Sequence, residues 1–176
     1  VASLYLNLLN GEHTFDDFCK RLQSLRYRNG VITDYTSRLH YFTWWACDNE
    51  KRGNLFAVDK PSSVFSETQL INNNFMSSNL SKYKHLINSK EFQDKIRCFE
   101  DQTNGSLFSY IPKRMLNNQN LQDCINSGDI IAIVTSKKGL DITHVGFAVW
   151  INEKLHLLHA SSLKKKVILD TKSLFE

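Results

Sequence analysis

The sequence predicts an α+β domain whose helices pack on an antiparallel sheet formed by the C-terminal part. Two observations lead there. Apolar residues recur at helical spacing through the first two thirds of the chain, whereas from Asp129 onward the pattern turns to short segments rich in β-branched and aromatic residues, separated by turn residues. Four such segments follow one another with no helix between them, so each must run antiparallel to its neighbour. A length of 176 residues, 41% of them hydrophobic and 23% charged, suits a single globular domain spanning residues 1–176.

The elements follow in order. Leu4, Leu8 and Leu9 fit the end of a helix closed by Asn10-Gly11, and the apolar face reaching Val1 suggests that this helix begins before the chain does. Thr14 is a good N-cap for a second helix, with Asp16 and Asp17 in its first turn and Phe15, Phe18, Leu22 and Leu25 on one face, ending near Arg28-Asn29-Gly30. Tyr35 to Cys47 carries Leu39, Phe42, Trp45 and Ala46 at the spacing of a third helix, closed by Lys51-Arg52-Gly53. The pattern is weak from Asn54 to Ser81, helix-like near Leu80–Ile87 and Ser89–Phe99, and Pro112 suits the start of another helix through Leu116, Leu121 and Ile125. The strands are expected at Asp129–Val134, Thr143–Ile151, Leu155–His159 and Val167–Asp170, with a tight hairpin between Trp150 and Leu155.

Composition removes several function classes. The longest apolar runs, such as Ile130–Val134, are far too short to span a bilayer, so no integral membrane segment is expected. The net charge of +4 is mild, and no basic stripe is interleaved with aromatic residues, which argues against a nucleic-acid partner. Lys137-Lys138 and Lys164-Lys165-Lys166 read as solvated turns. Cys19, Cys47, Cys98 and Cys124 lie far apart with no C-x-x-C pair, which disfavours zinc ribbons and thioredoxin-like chemistry and leaves disulfides open. No cofactor is called for. Oligomeric state is unreadable.

Chemistry concentrates on two histidines. His144 opens the strand Val145–Trp150 and shares a face with Gly146, Ala148 and Trp150, the two small residues leaving open space beside the imidazole. His159 ends the next strand, so a hairpin would bring the rings together as a base and the group that orients it. Two structural histidines capping strands fit the spacing equally well. No carboxylate or third histidine stands at ligand spacing beside either one, so no metal site is expected. Outside the sheet, Arg38, His40 and Tyr41 are substrate-contact candidates: a guanidinium fork for a carboxylate, and donors beside an aromatic wall. In the alternative, Arg38 pairs with a local acid and the aromatic residues are core.

Gly128-Asp129-Ile130-Ile131-Ala132-Ile133, Thr143-His144-Val145-Gly146-Phe147-Ala148 and Leu157-Leu158-His159-Ala160-Ser161, in that order, resemble the NlpC-type papain-like cysteine peptidases. Arg26-Tyr27-Arg28-Asn29-Gly30 and Tyr35 to Phe42 look like the bacterial branch described as N-acetylmuramoyl-L-alanine amidase-like. The resemblance implies a papain-like fold and a Cys-His-His mechanism on peptidoglycan or muropeptides, with His144 as base and acid and His159 orienting it. It also implies an extracytoplasmic, periplasmic or cell-envelope location. The family's nucleophile lies in a segment resembling D-C-T-T-F-V ahead of the Thr14-Phe15-Asp16-Asp17-Phe18 match, which would put it just before Val1. None of the four cysteines replaces it comfortably, because Cys19 falls inside a helix, where a buried or half-buried structural thiol is expected and free backbone donors are lacking. The absent Met, the interrupted first helix and the ending at Phe175-Glu176 lead us to expect a domain truncated at its N-terminus, and at its C-terminus as well. The alternatives are a catalytically inactive module that binds cell-wall peptides or a protein partner, and an enzyme using Cys19.

Overall fold

The computed structural model describes residues 2–11, 13–58, 64–117 and 119–176. It is a mixed α/β protein with antiparallel sheets, and the chain divides into two compact units, Val1–Phe56 with Asn73–Thr103, and Ala57–Asn72 with Asn104–Glu176. Every helix of four or more residues belongs to the first unit and every strand to the second, among the described residues.

In the helical unit, α1 (Ala2–Leu9) stops where Gly11 takes φ +68°, the left-handed conformation that ends a helix at little cost in glycine. The second helix, α2 (Phe15–Arg26), opens on a full capping box: the Thr14 hydroxyl accepts from the Asp17 amide, and the Asp17 carboxylate accepts from the Thr14 amide. The hydrogen bond from the Thr14 hydroxyl holds the Asp17 carboxyl below its ordinary value. The third helix, α3, runs over Phe42–Lys51 and not from Tyr35. Asp34 explains the difference. Its carboxylate accepts from the Thr36 amide at 2.7 Å and the Thr36 hydroxyl at 2.6 Å, pinning Tyr35–Ser37 into a 3-10 turn. The chain then extends through Arg38, which bridges Tyr27, and the Leu39 amide donates to the Arg26 carbonyl. The short α4 (Phe75–Ser78) and the 14-residue α5 (Lys90–Thr103) complete the unit, α5 turning Ile96 and Glu100 inward, one helical turn apart. The helix expected near Leu80–Ile87 is a 3-10 turn at Leu80–Lys82 followed by further turns.

In the sheet unit, β1 (Glu67–Leu70) and β2 (Leu107–Tyr110) form a two-stranded antiparallel pair that the sequence pattern, only four residues long in each strand, did not announce. The four expected strands are present as β3 (Ile130–Val134), β4 (Ile142–Ile151), β5 (Lys154–Ser161) and β6 (Lys166–Leu169), paired in sequence order and all antiparallel. The β4–β5 hairpin turns on Asn152 and Glu153, both left-handed with φ 46° and 62°, so the pair performs the tight turn without a glycine. The core under the sheet is Val64, Leu121, Ile125, Ala148 and Leu155. Leu121 ends a 3-10 turn and Ile125 follows it outside any helix or strand. The helix expected after Pro112 exists only as 3-10 turns at Lys113–Met115 and Gln119–Leu121, and Leu121 and Ile125 satisfy helical spacing through one turn, closed by the Ile125 amide on the Leu121 carbonyl at 2.9 Å. The Asn117–Asn120 run between the apolar positions is a poor propagator of helix.

Candidate active site

The site in the sheet unit is assembled by strand register. β4 and β5 pair with Phe147 opposite Leu158 and Ala148 opposite Leu157; continuing that register sets Gly146 opposite His159 and leaves His144 diagonal to it on the same face. The rings meet edge to face, centroids 4.7 Å apart and planes at 88°, with His144 Nε2 2.7 Å from His159 Nδ1. The other nitrogen of His159, Nε2, lies 3.2 Å from Asp170 Oδ1. Asp170 follows β6 and is fixed by its own backbone: its amide donates to the Leu157 carbonyl at 3.0 Å, and its carbonyl accepts from His156 Nδ1 at 3.0 Å. The result is an unbroken row of imidazole, imidazole and carboxylate.

Hydrogen-bond accounting assigns the protons in this row. An ionised Asp170 can only accept, so a neutral His159 carries its proton on Nε2 and offers the lone pair of Nδ1. That lone pair requires the proton of His144 on Nε2, which leaves Nδ1 of His144 as a free base. The arrangement can therefore take a proton at one defined atom while the positive charge that develops is met through His159 by a carboxylate. All three residues are half-buried, the His159 side chain 12% exposed and that of Asp170 41% exposed.

The open space expected beside His144 is not there. A Cβ on Gly146 would stand 2.7 Å from Leu157 Cγ and Cδ1 and 2.9 Å from the Leu158 carbonyl oxygen. Leu157 fills the place, and glycine is required by this close approach, with a backbone atom that cannot give way. The Gly128-Asp129 pair launches β3: the Gly128 amide donates to the Ala148 carbonyl and the Ala148 amide to the Asp129 carbonyl. The Ser161 hydroxyl accepts from the Lys164 amide and shapes the turn after β5.

Arg38, His40 and Tyr41 all lie in the helical unit, in the extended passage between the 3-10 turn and α3. Arg38 is exposed, and no carboxylate of the described residues pairs with its guanidinium, so the local acid partner weighed for it is not found. His40 and Tyr41 are turned to internal work. His40 Nε2 is 3.1 Å from the Tyr35 carbonyl, its ring 4.7 Å from that of Tyr35, and burial pushes its pKa down to about 4, so it is neutral at pH 7 and donates from Nε2. Tyr41 is 3% exposed; its hydroxyl donates to Glu100 Oε1 at 2.7 Å and accepts from the Met76 amide at 2.9 Å, and burial drives its pKa upward. Both fix the loop that presents Arg38 rather than forming an exposed wall.

No disulfide joins the four cysteines, and Cys19 is exposed on α2, neither buried nor half-buried as its helical position suggested. Cys124, the cysteine of the sheet unit, packs against the core. No group of three or more His, Cys, Asp or Glu among the described residues is arranged to hold a metal ion. Sequence reasoning missed Asp170 and Glu100. Asp170 was within reach: carrying the hairpin register from β5 into the fourth strand brings its last residue beside His159. Glu100 carried no signal, since a glutamate on an amphipathic helix reads as surface.

The molecule is thus an α/β protein with two imidazoles side by side near the ends of the two inner strands of an antiparallel sheet. The AmiA-like, N-acetylmuramoyl-L-alanine amidase-like family matches residues 4–176, and the chain belongs to that family. Among solved structures, an N-acetylmuramoyl-L-alanine amidase from Bacteroides uniformis is 37% identical with a TM-score of 0.90, covering 99% of this chain and 73% of that one. A protein of Bacteroides fragilis bearing the provisional name xylanase is 36% identical, TM-score 0.90, over 99% of this chain and 74% of that one. A protein from Legionella pneumophila is 26% identical, TM-score 0.57, over 90% and 62%. No curated protein matches the chain.

Proposed function

We propose that the protein is a peptidoglycan amide hydrolase of the Cys-His-His type with a papain-like, NlpC-type fold, working outside the cytoplasm on cell-wall muropeptides, its nucleophilic thiol supplied from outside residues 1–176. The observation that carries this reading is the 2.7 Å contact of His144 Nε2 with His159 Nδ1, continued to Asp170. Nδ1 of His144 takes the thiol proton, the thiolate adds to the amide carbonyl, and the imidazolium returns the proton to the departing amine, leaving a thioester that water, deprotonated by the same Nδ1, hydrolyses. The Arg38 fork binds a stem-peptide carboxylate. Family membership and the Bacteroides uniformis relative support an amide as the scissile bond. Glycoside cleavage, which the name of the Bacteroides fragilis relative would suggest, rests on a pair of carboxylates flanking the bond, whereas this row is built on two imidazoles.

Hydrolysis of purified muropeptides by this chain and by a form extended upstream tests the proposal. The extended form is expected to release amine, and His144→Ala within it to lower the rate by about 10³-fold. Inactivity of both forms, with muropeptide binding retained, would establish a binding module instead. Turnover by the present chain that Cys19→Ser abolishes would transfer the nucleophile to α2.

A further inference from the structure

The two lysine clusters, separate in sequence, are brought to one end of the sheet by its topology. β3 ends at Val134 opposite Ile142, and β5 ends at Ser161 opposite Lys166, so in an all-antiparallel sheet of order β3-β4-β5-β6 the β3–β4 and β5–β6 turns emerge from the same end. Those turns carry Lys137, Lys138, Lys164 and Lys165, with Lys166 opening β6 beside them, all exposed, against a single acid, Asp141, which is buried with its carboxylate accepting the Ile142 amide. At the tip of the second turn, directly before three lysines, Leu163 is 92% exposed.

The sheet face away from the core adds to this. Antiparallel sheets with one solvated face alternate apolar and polar residues along each strand. Here the register instead places Ile130, Phe147, Leu158 and Leu169 in one cross-strand row, with Ala132 opposite Val145 and Ala160 opposite Val167 in the next row toward the lysine end. Val167 is 69% exposed, and Val145 and Leu169 are also exposed. Apolar side chains open to solvent thus adjoin a one-signed cluster of ammonium groups.

We propose that this end of the sheet docks on an anionic lipid membrane, with Leu163 entering the headgroup region and the lysines meeting the lipid phosphates. A soluble polyanion would account for the lysines but would gain nothing from a leucine projected among them; a lipid surface rewards both. The contact does not depend on the catalytic reading.

Co-sedimentation of the 176-residue chain with vesicles of phosphatidylcholine alone, or with about a third phosphatidylglycerol, tests it. Binding is expected to the anionic vesicles only and to weaken as salt is raised. Replacing Lys164, Lys165 and Lys166 together by Gln lowers the partition coefficient about 100-fold, at roughly fivefold per lysine, while their replacement by Arg retains it. Leu163→Ser alone lowers it about tenfold. Absence of binding to anionic vesicles overturns the proposal. So does binding that Leu163→Ser leaves unchanged and that soluble polyglutamate displaces at equal charge, which would assign the lysines to a soluble anionic polymer.

Discussion

In the helical unit the deepest positions include Glu100, Asn49 and Asn73, each hydrogen-bonded: Glu100 by the Tyr41 hydroxyl and Ser77 amide, Asn49 to the Leu25 and Trp45 carbonyls, Asn73 to the Thr43 hydroxyl. In the sheet unit the deepest cluster is Val64, Leu121, Ile125, Ala148 and Leu155, and the titratable groups of the imidazole row sit at strand ends. The first unit thus adds directional polar contacts to apolar positions such as Leu86 and Ile96, whereas the central cluster of the second is apolar and its strands are set by register. Buried hydrogen bonds fix a loop in one arrangement because breaking one strands a desolvated partner. Packed strands fix two side chains relative to each other because a register slip would send both to the wrong face. Each unit should therefore fail in its own way.

The largest stability effect expected is a pH dependence from the helical unit. His40, held near pKa 4 by burial, has an ordinary value of 6.5, so between those limits the unfolded chain binds a proton that the folded one does not. Its contribution is complete above pH 6.5 and is lost as pH falls toward 4, by up to about 3 kcal/mol. Urea unfolding at pH 7 and at pH 4.5 measures this, and His40→Leu should flatten that part of the profile; an unaltered profile would mean that His40 is not desolvated. Next is a steric effect in the sheet unit. Gly146→Ala forces Leu157 and the Leu158 carbonyl away from β4 and should cost roughly 2 kcal/mol. It should also lengthen the His144–His159 contact, seen as altered imidazole resonances, whereas unchanged stability would place Leu157 elsewhere. Smallest is Tyr41→Phe, which deprives Glu100 and the Met76 amide of one partner and should cost about 1.5 kcal/mol while leaving the imidazole resonances where they were.

The same contrast explains what could be read from the sequence. Strand order, the β4–β5 hairpin and the meeting of His144 with His159 followed from alternation and spacing, because a sheet converts sequence distance into register. The helix expected from Tyr35 failed for a local reason: the Asp34 side chain captured the Thr36 amide and hydroxyl. The helix expected after Pro112 failed because Leu121 and Ile125 need only one turn to reach the core. The inward turn of Tyr41 depended on Glu100, distant in sequence, and no local pattern announces such a pair. The space beside Gly146 was misread for a related reason, since a small residue on a strand shows where something approaches but not what. Here it is Leu157 from the neighbouring strand.

If Asp170 sets the protons of both imidazoles, Nδ1 of His144 is the base. Two-dimensional ¹H–¹⁵N NMR of the imidazole rings of this chain at pH 7.5 tests it directly, with no need of the thiol. Nε2–H tautomers are expected for both His144 and His159, with a change in the His159 tautomer balance on Asp170→Ala. A proton on Nδ1 of His144, or a His159 ring indifferent to Asp170→Ala, would contradict it.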